Sequence, residues 1–241
     1  MTKTHVETVQ MLPFGMLNAF LLINSGKAIL VDTGLPNSED RVARALKRNG
    51  LSWPEIKLIV LTHAHIDHAG SALRLRELTS APVLAHESDI PYLQGEPPVL
   101  RPTGTFGRLF KKTGAIEQPF DYLMPDLVAS ADTIDLDEFG ICGQVRHTPG
   151  HTPGSVSVLL EDGNVIAGDL AASGILLGGI ALKSRPTAPP FEEDAQEVAN
   201  SLQGLLDLGF TRFHLGHGGP LEARQIAAHV EAIKRGQVRR Y

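Results

Sequence analysis

Chemistry concentrates in His63-Ala64-His65-Ile66-Asp67-His68, a His-x-His-x-Asp-His run. Three imidazoles and a carboxylate fall within six positions, although all 241 residues include only ten histidines. Ionisable side chains packed this closely repel or desolvate one another unless something positive sits among them. A divalent metal ion removes that conflict, because neutral imidazole and carboxylate are donors it accepts readily. The bland alternative is a run of surface histidines, or a helix start with Asp67 as N-cap. The spacing favours the metal.

Three further segments carry donors. His151 sits in Thr148-Pro149-Gly150-His151-Thr152-Pro153-Gly154, a turn fixed by two prolines and two glycines. Asp169 ends the apolar stretch before Ala167-Gly168-Asp169, and His217 lies among glycines that let backbone approach closely. Alone, each is an ordinary turn or loop residue. Together they follow strand ends, where sites on rigid scaffolds are commonly built.

The elements that must position these donors are legible as apolar runs. Ile56 to Leu61 reads as a buried strand leading into the motif. Leu17 to Ile23 and Lys27 to Asp32 flank Ser25-Gly26 and read as a hairpin. Helical spacing over 38–48 has Ser38 as N-cap and ends at Asn49-Gly50. A second helix is predicted over 71–78, then a strand over 82–85. Glycine and proline punctuate 87–127, which is expected to be an insertion or lid with only short regular structure. Strands are predicted at 133–136, 141–146, 155–160, 164–167 and 212–215, with helices over 191–208 and 221–235. Strand-rich then helical, twice over, implies an α+β fold of two packed sheets with helices outside. One domain over 1–241 is expected.

The order His63-x-His65-x-Asp67-His68, then His151, Asp169 and His217, resembles the metallo-β-lactamase-fold hydrolases, and Asp32-Thr33-Gly34 is also similar to that superfamily. The resemblance spans roughly residues 17 to 220 and implies the four-layer αβ/βα sandwich, with two mixed sheets inside. It implies two divalent metal ions. His63, His65 and His151 would hold one, and Asp67, His68 and His217 the other, with Asp169 bridging. Asp67 would also orient the attacking hydroxide, and Asp32 would support the motif loop from behind the ligands. Zinc is the expected metal; iron or manganese suits the same donors.

Bulk properties bound the rest. The formal charge of -5 argues against a general nucleic-acid binder. Cys142, the only cysteine, permits no intramolecular disulfide and reads as a small buried residue. The first residues lack a secretory h-region and no stretch is apolar enough to span a bilayer, so a cytoplasmic protein without a membrane partner is expected. His86 and His147 read as structural histidines, His214 as a strand residue, and His5 and His229 as solvated.

The substrate is expected to be a small molecule. The chain departs from several branches of the family it resembles. Only 24 residues follow His217, too few for the helical glutathione-binding region of glyoxalase II enzymes. None of the three tyrosines, Tyr92, Tyr122 and Tyr241, occupies the stretch just after Asp169 where quorum-sensing lactonases have one. Between Pro98 and Ile116, Arg101, Arg108, Lys111 and Lys112 occur with no acidic residue. They read either as a solvated basic face or as a lid that attracts an anionic substrate. The reaction expected is hydrolysis of an ester, thioester, lactone or phosphodiester. The alternative is an iron-dependent persulfide dioxygenase of the same fold; the small apolar residues after Asp169 disfavour it. The apolar run 174–180 is expected to line a pocket or an interface.

Overall fold

The computed structural model describes residues 3–130, 133–175 and 181–237. The first sheet is built from β1 (His5–Leu12), β2 (Leu17–Asn24), β3 (Lys27–Val31), β4 (Ile56–Val60), β5 (Val83–His86) and β6 (Leu127–Ala129), side by side in that order. The first three strands pair antiparallel and the last three join in parallel, so the sheet is mixed. The second sheet is mixed as well. It contains β7 (Thr133–Asp135), β8 (Gly143–His147), β9 (Val156–Leu160), β10 (Asn164–Ile166), β13 (Arg212–His214) and β14 (Leu221–Glu222), with β13 parallel to β10. A separate ribbon pairs β11 (Ala172–Ser173) with β12 (Pro186–Thr187).

Side-chain alternation along each strand sorts residues into three apolar layers. From β2, β3 and β4, Phe20, Leu22, Ile29, Val31, Leu58 and Val60 point between the sheets and meet Val145, Val158 and Ile166. The alternate residues Ala19, Leu21, Leu30 and Ile59 face outward, under Val42 and Leu46 of α1 (Glu39–Arg48) and Leu75 of α3 (Ala72–Thr79). On the far side, Leu159, Val165 and Phe213 are covered by α6 (Ala195–Asp207) and α7 (Ala223–Lys234). The result is helix, sheet, sheet, helix. Strands buried on both faces must be apolar throughout, which is why β2 and β3 stood out in the sequence. Each such Leu, Ile or Val stabilises the fold by roughly 1.5–3 kcal/mol.

Four elements escaped the sequence pattern, one of them β14, whose Leu221–Glu222 was expected to open the last helix, which starts instead at Ala223. Strand β1 is an edge strand whose Thr8 and Gln10 are exposed while Val9 and Met11 are buried, so it lacks an apolar run. Strand β6 is short and two of its three residues are exposed. The β11–β12 ribbon has two residues per strand. Helix α6 starts at Ala195 rather than at 191, because the Asp194 side chain accepts the Glu197 N–H and caps it there. The residues before the cap instead hold the segment around α5 in place.

Between 87 and 127 regular structure is short, as expected: α4 (Ile90–Leu93), α5 (Thr105–Lys111) and the start of β6. Of the apolar run 174–180, positions 176–180 lie outside the described residues. Among the described residues, no helix is long and apolar enough to cross a membrane.

Candidate metal centre

Every donor named from the sequence lies just beyond a strand, at one rim of the two sheets. Strand β4 delivers the motif, whose Ile66–Ala69 stretch forms a single helical turn, α2, with His65 rather than Asp67 at its N-cap. The β8–β9 turn delivers His151, the end of β10 delivers Asp169, and the end of β13 delivers His217. Backbone bonds lock these loops together. Val156 N–H donates to Thr62 O at 2.8 Å, Gly216 N–H to Gly168 O at 2.9 Å, and Asn18 N–H to Gly216 O at 2.8 Å. The Asn18 amide also donates to Leu215 O and Gly218 O, tying the His217 loop to β2.

The seven side chains converge. His151 Nε2 lies 3.2 Å from His63 Nε2 and 3.1 Å from His65 Nδ1. His217 Nε2 lies 3.3 Å from Asp67 Oδ2 and 3.2 Å from Asp169 Oδ2. Asp169 reaches both sides, with Oδ1 3.5 Å from His68 Nε2 and Oδ2 3.9 Å from His151 Nε2. His63, His65 and His151 form one group with donor atoms within 4.8 Å of one another, and Asp67, His68 and His217 form another. A third such group joins His63, His68 and Asp169. Gly216 makes this closeness possible, since a Cβ there would collide with Asp169 Oδ1 and with the His68 ring.

A cation fits these donors better than hydrogen bonds do. His68 Nε2 and Asp169 Oδ1, which face the cluster, are buried without a hydrogen-bond partner, and His63 Nε2, His65 Nδ1 and His151 Nε2 crowd against one another, nitrogen to nitrogen. Native structures rarely leave such atoms unpaired. Charge balance points the same way. Burial, then the neighbouring imidazoles His68 and His151, hold His63 far below the ordinary histidine range; burial holds His65 at about 3 and His151 at about 4. These three are therefore neutral lone-pair donors. Burial opposes ionising Asp67 and Asp169, yet His68 and His217 overcome it and keep both carboxyls well below their usual range. Burial likewise opposes protonating His68, but Asp169, Asp32 and Asp67 lift it to about 9; Asp169 and Asp67 raise His217 in the same way. Two carboxylates thus hold protons on two imidazoles, a place a divalent ion would take.

Hydrogen bonds behind the ring fix which nitrogen three of the five imidazoles present. His68 Nδ1 donates to Asp32 Oδ2 at 2.9 Å, and His217 Nδ1 to Met16 O, 2.6 Å away. His63 Nδ1 donates to Thr62 Oγ1 at 3.0 Å, and that hydroxyl donates onward to Asp32 Oδ2 at 2.8 Å. Asp32 therefore governs two rings, one directly and one through Thr62. It also accepts the Thr62 N–H. Its backbone stands at φ 63°, a region that Asp tolerates better than most residues.

Asp89 was not singled out in the sequence. Its Oδ2 accepts Ala64 N–H at 2.9 Å and Thr152 Oγ1–H at 2.8 Å, and its Oδ1 accepts Gly154 N–H at 2.7 Å. One buried carboxylate thus joins the loop bearing His63 and His65 to the loop bearing His151. Its place three residues beyond a strand end was the available signal. Thr62 and Asn18 gave none, being ordinary polar residues in sequence.

The remaining candidates lie elsewhere. His86 and His147 stack on each other at 3.8 Å, outside the donor cluster. His214 is a residue of β13 with its ring edge against Phe20, and His5 is exposed. His229 corrects the expectation of a solvated side chain: it is 3% exposed within α7, because it falls on the helix face that packs inward with Ile226, Val230 and Ile233. Cys142 is half-buried rather than buried.

Above the donors lies a cavity of about 180 Å³, whose floor includes His65, Asp67, His151, Asp169 and His217. None of Arg101, Arg108, Lys111 and Lys112 lines it. Arg101 instead donates to Glu193 O at 2.6 Å, Arg108 to Thr105 Oγ1, and Lys111 to Leu100 O. The segment that carries them is clamped to residues 189–193. Thr103 N–H donates to Pro190 O, Glu192 N–H to Arg101 O, and Tyr92 O–H to Glu193 Oε1. Gly107 packs so closely on Pro190 O that a side chain would clash. Glu193 N–H in turn bonds Gly150 O and His151 O.

The family model of the metallo-beta-lactamase superfamily matches residues 12–217, and the chain belongs to that superfamily. Relatives named probable metallo-hydrolases are among the proteins it resembles, and it carries a donor cluster suited to metal. It is 28% identical over 216 residues to the "Probable metallo-hydrolase YflN" of Bacillus subtilis (strain 168), covering 85% of this chain and 80% of that protein. The fold is also that of TTHA1429 from Thermus thermophilus, a metallo-beta-lactamase family protein: TM-score 0.66 at 24% identity, over 97% of this chain and 80% of that one. TTHA1623, solved in a di-iron-bound form, aligns with TM-score 0.63 and 27% identity over 90% of this chain and 94% of its own.

Proposed function

We propose that this chain hydrolyses a small-molecule ester, thioester, lactone or phosphodiester with two divalent metal ions. The observation that carries the reading is the convergence of seven donors from four loops, with His63, His65 and His151 grouped apart from Asp67, His68 and His217. Those triads would hold one ion each, with Asp169, which reaches toward both, between them. Divalent ions held there would lower the pKa of a bound water and polarise the bond to be cleaved. Zinc is the expected metal, and the di-iron form of TTHA1623 supports iron as the second choice.

The chain's own residues set the geometry. Asp32, Thr62 and the Met16 carbonyl aim His68, His63 and His217, which keeps the same nitrogen of each toward the centre. Asp67, at the cavity floor, has one oxygen beside His217 and orients the attacking water with the other.

Metal analysis of the purified protein, coupled to a panel of ester, thioester, lactone and phosphodiester substrates, tests the proposal. About two ions per chain and hydrolysis of at least one class are expected. One iron per chain with oxygen consumption on a persulfide would replace it with the dioxygenase reading.

A further inference from the structure

The donors form only the floor of the cavity, and every other side chain that lines it is apolar. Leu12 and Leu17 come from ends of β1 and β2, and Leu35 from the loop after β3. Phe110 and Ile116 come from α5 and the turn after it, and Phe191 from the segment to which α5 is clamped. The Phe106, Phe110 and Phe191 rings stack in series, at 5.6 and 5.9 Å between centroids, which stiffens that side. Among the described residues, no lysine, arginine, serine, threonine, asparagine or glutamine faces the space.

From this lining we infer that the substrate is an uncharged ester or thioester of an acid whose acyl group is compact and apolar, about the size of a phenyl ring. Volume sets the size: a buried apolar cavity of about 150 Å³ takes up benzene, and this one measures about 180 Å³. Chemistry sets the charge. A second carboxylate or a phosphate at the end of the acyl group away from the donors would be buried against leucine and phenylalanine with no partner, at a cost of several kcal/mol. The cations at 101, 108, 111 and 112 are outside the cavity and cannot offset it. Hydrolysis of such a substrate adds water across the acyl C–O or C–S bond and releases a carboxylic acid with an alcohol or thiol. The bond cleaved rests on the hydrolase reading above; the group held rests on the lining alone.

The test uses acetyl, phenylacetyl and succinyl thioesters of one small neutral thiol, N-acetylcysteamine, with release of free thiol as the readout. The phenylacetyl thioester should exceed the acetyl one in kcat/KM by about tenfold or more, and the succinyl one by about a hundredfold, on the transfer scale for apolar burial. Ile116→Lys, a half-buried wall position, should raise the succinyl rate relative to the phenylacetyl rate. Binding is measured separately by titrating phenylacetamide and succinamate into the full chain, with and without metal, and following the methyl resonances of Leu12, Leu17, Leu35 and Ile116. Saturable shifts with phenylacetamide and none with succinamate support the inference even if no thioester is cleaved, an outcome that would count against the hydrolase reading only. Cleavage that favours the succinyl thioester, or cleavage without selectivity and without methyl shifts, overturns the inference and leaves the hydrolase reading standing.

Discussion

The floor and the wall of one cavity are held by different means. The floor is polar and over-determined: each of His63, His68 and His217 has a hydrogen bond behind its ring, and Asp89 ties together the two loops that bear His63, His65 and His151. The wall is apolar and rests on ring stacking and main-chain bonds between residues 101–107 and 189–193. Burial in a low dielectric makes every unpaired group on the floor expensive, so its residues constrain one another. Apolar contact is non-directional, so the wall sets a shape and a polarity rather than an orientation. The floor should therefore fix which bond is broken, and the wall which molecule is chosen.

The sharpest way to break this contrast is Asp169→Ala. Metal ions supply several kcal/mol of charge stabilisation, so kcat/KM should fall by about 10³-fold. Far-ultraviolet circular dichroism should stay native, because Asp169 contributes no apolar packing. Wild-type turnover in this variant would show that the carboxylate has no part in the chemistry. Removing metal with a chelator should abolish turnover in the same assay and lower the melting temperature, since a bound ion stabilises only the folded state.

Next in size is Asp89→Ala. It strands the buried Ala64 and Gly154 amides, while the Thr152 hydroxyl keeps the Ser155 hydroxyl as a partner. At about 1–3 kcal/mol for each unsatisfied donor, urea unfolding should report a loss of about 2 kcal/mol or more. The affinity for metal should fall with it. A stability change without any change in metal affinity would separate Asp89 from the floor.

Asp32→Asn is milder, because it preserves shape and one acceptor oxygen while the amide NH2 faces either His68 Nδ1–H or the Thr62 N–H, which Asp32 accepts together. A loss of about 10- to 100-fold in metal affinity is expected by competition with a chelator, as for other groups that orient metal ligands. The smallest effect should come from the wall. Ile116→Ala removes part of a half-buried apolar side chain, so kcat/KM for an apolar thioester should fall by no more than about tenfold. Metal stoichiometry should not move. If it does, floor and wall are not separable.

How much of this was legible beforehand depended on contiguity and on burial. The His63–His68 run announced itself because its four donors are adjacent in sequence, and β2, β3 and β4 because their interior runs are apolar on both faces. His151, Asp169 and His217 were visible only as donors after strand ends that matched a known order. Edge strands β1 and β6 lacked the pattern, since one side of each meets solvent. His229 illustrates the same limit: its neighbours on the helix are apolar every third or fourth position, but a single histidine on that face reads as polar until the packing is seen.

By itself the sequence determined that seven donors of metal-ligand type exist, that they follow strands, and that two sheets with outer helices carry them. These properties are written in residue type and local period, which need no tertiary information. Only the tertiary structure decided that Asp32 steers two imidazoles, that Asp89 joins two loops from different sheets, and that the four cations of 101–112 stay out of the cavity while Phe110, Ile116 and Phe191 enter it. Those outcomes depend on contacts between residues far apart in the chain, such as Phe110 with Phe191, and a linear pattern carries no distance between such residues.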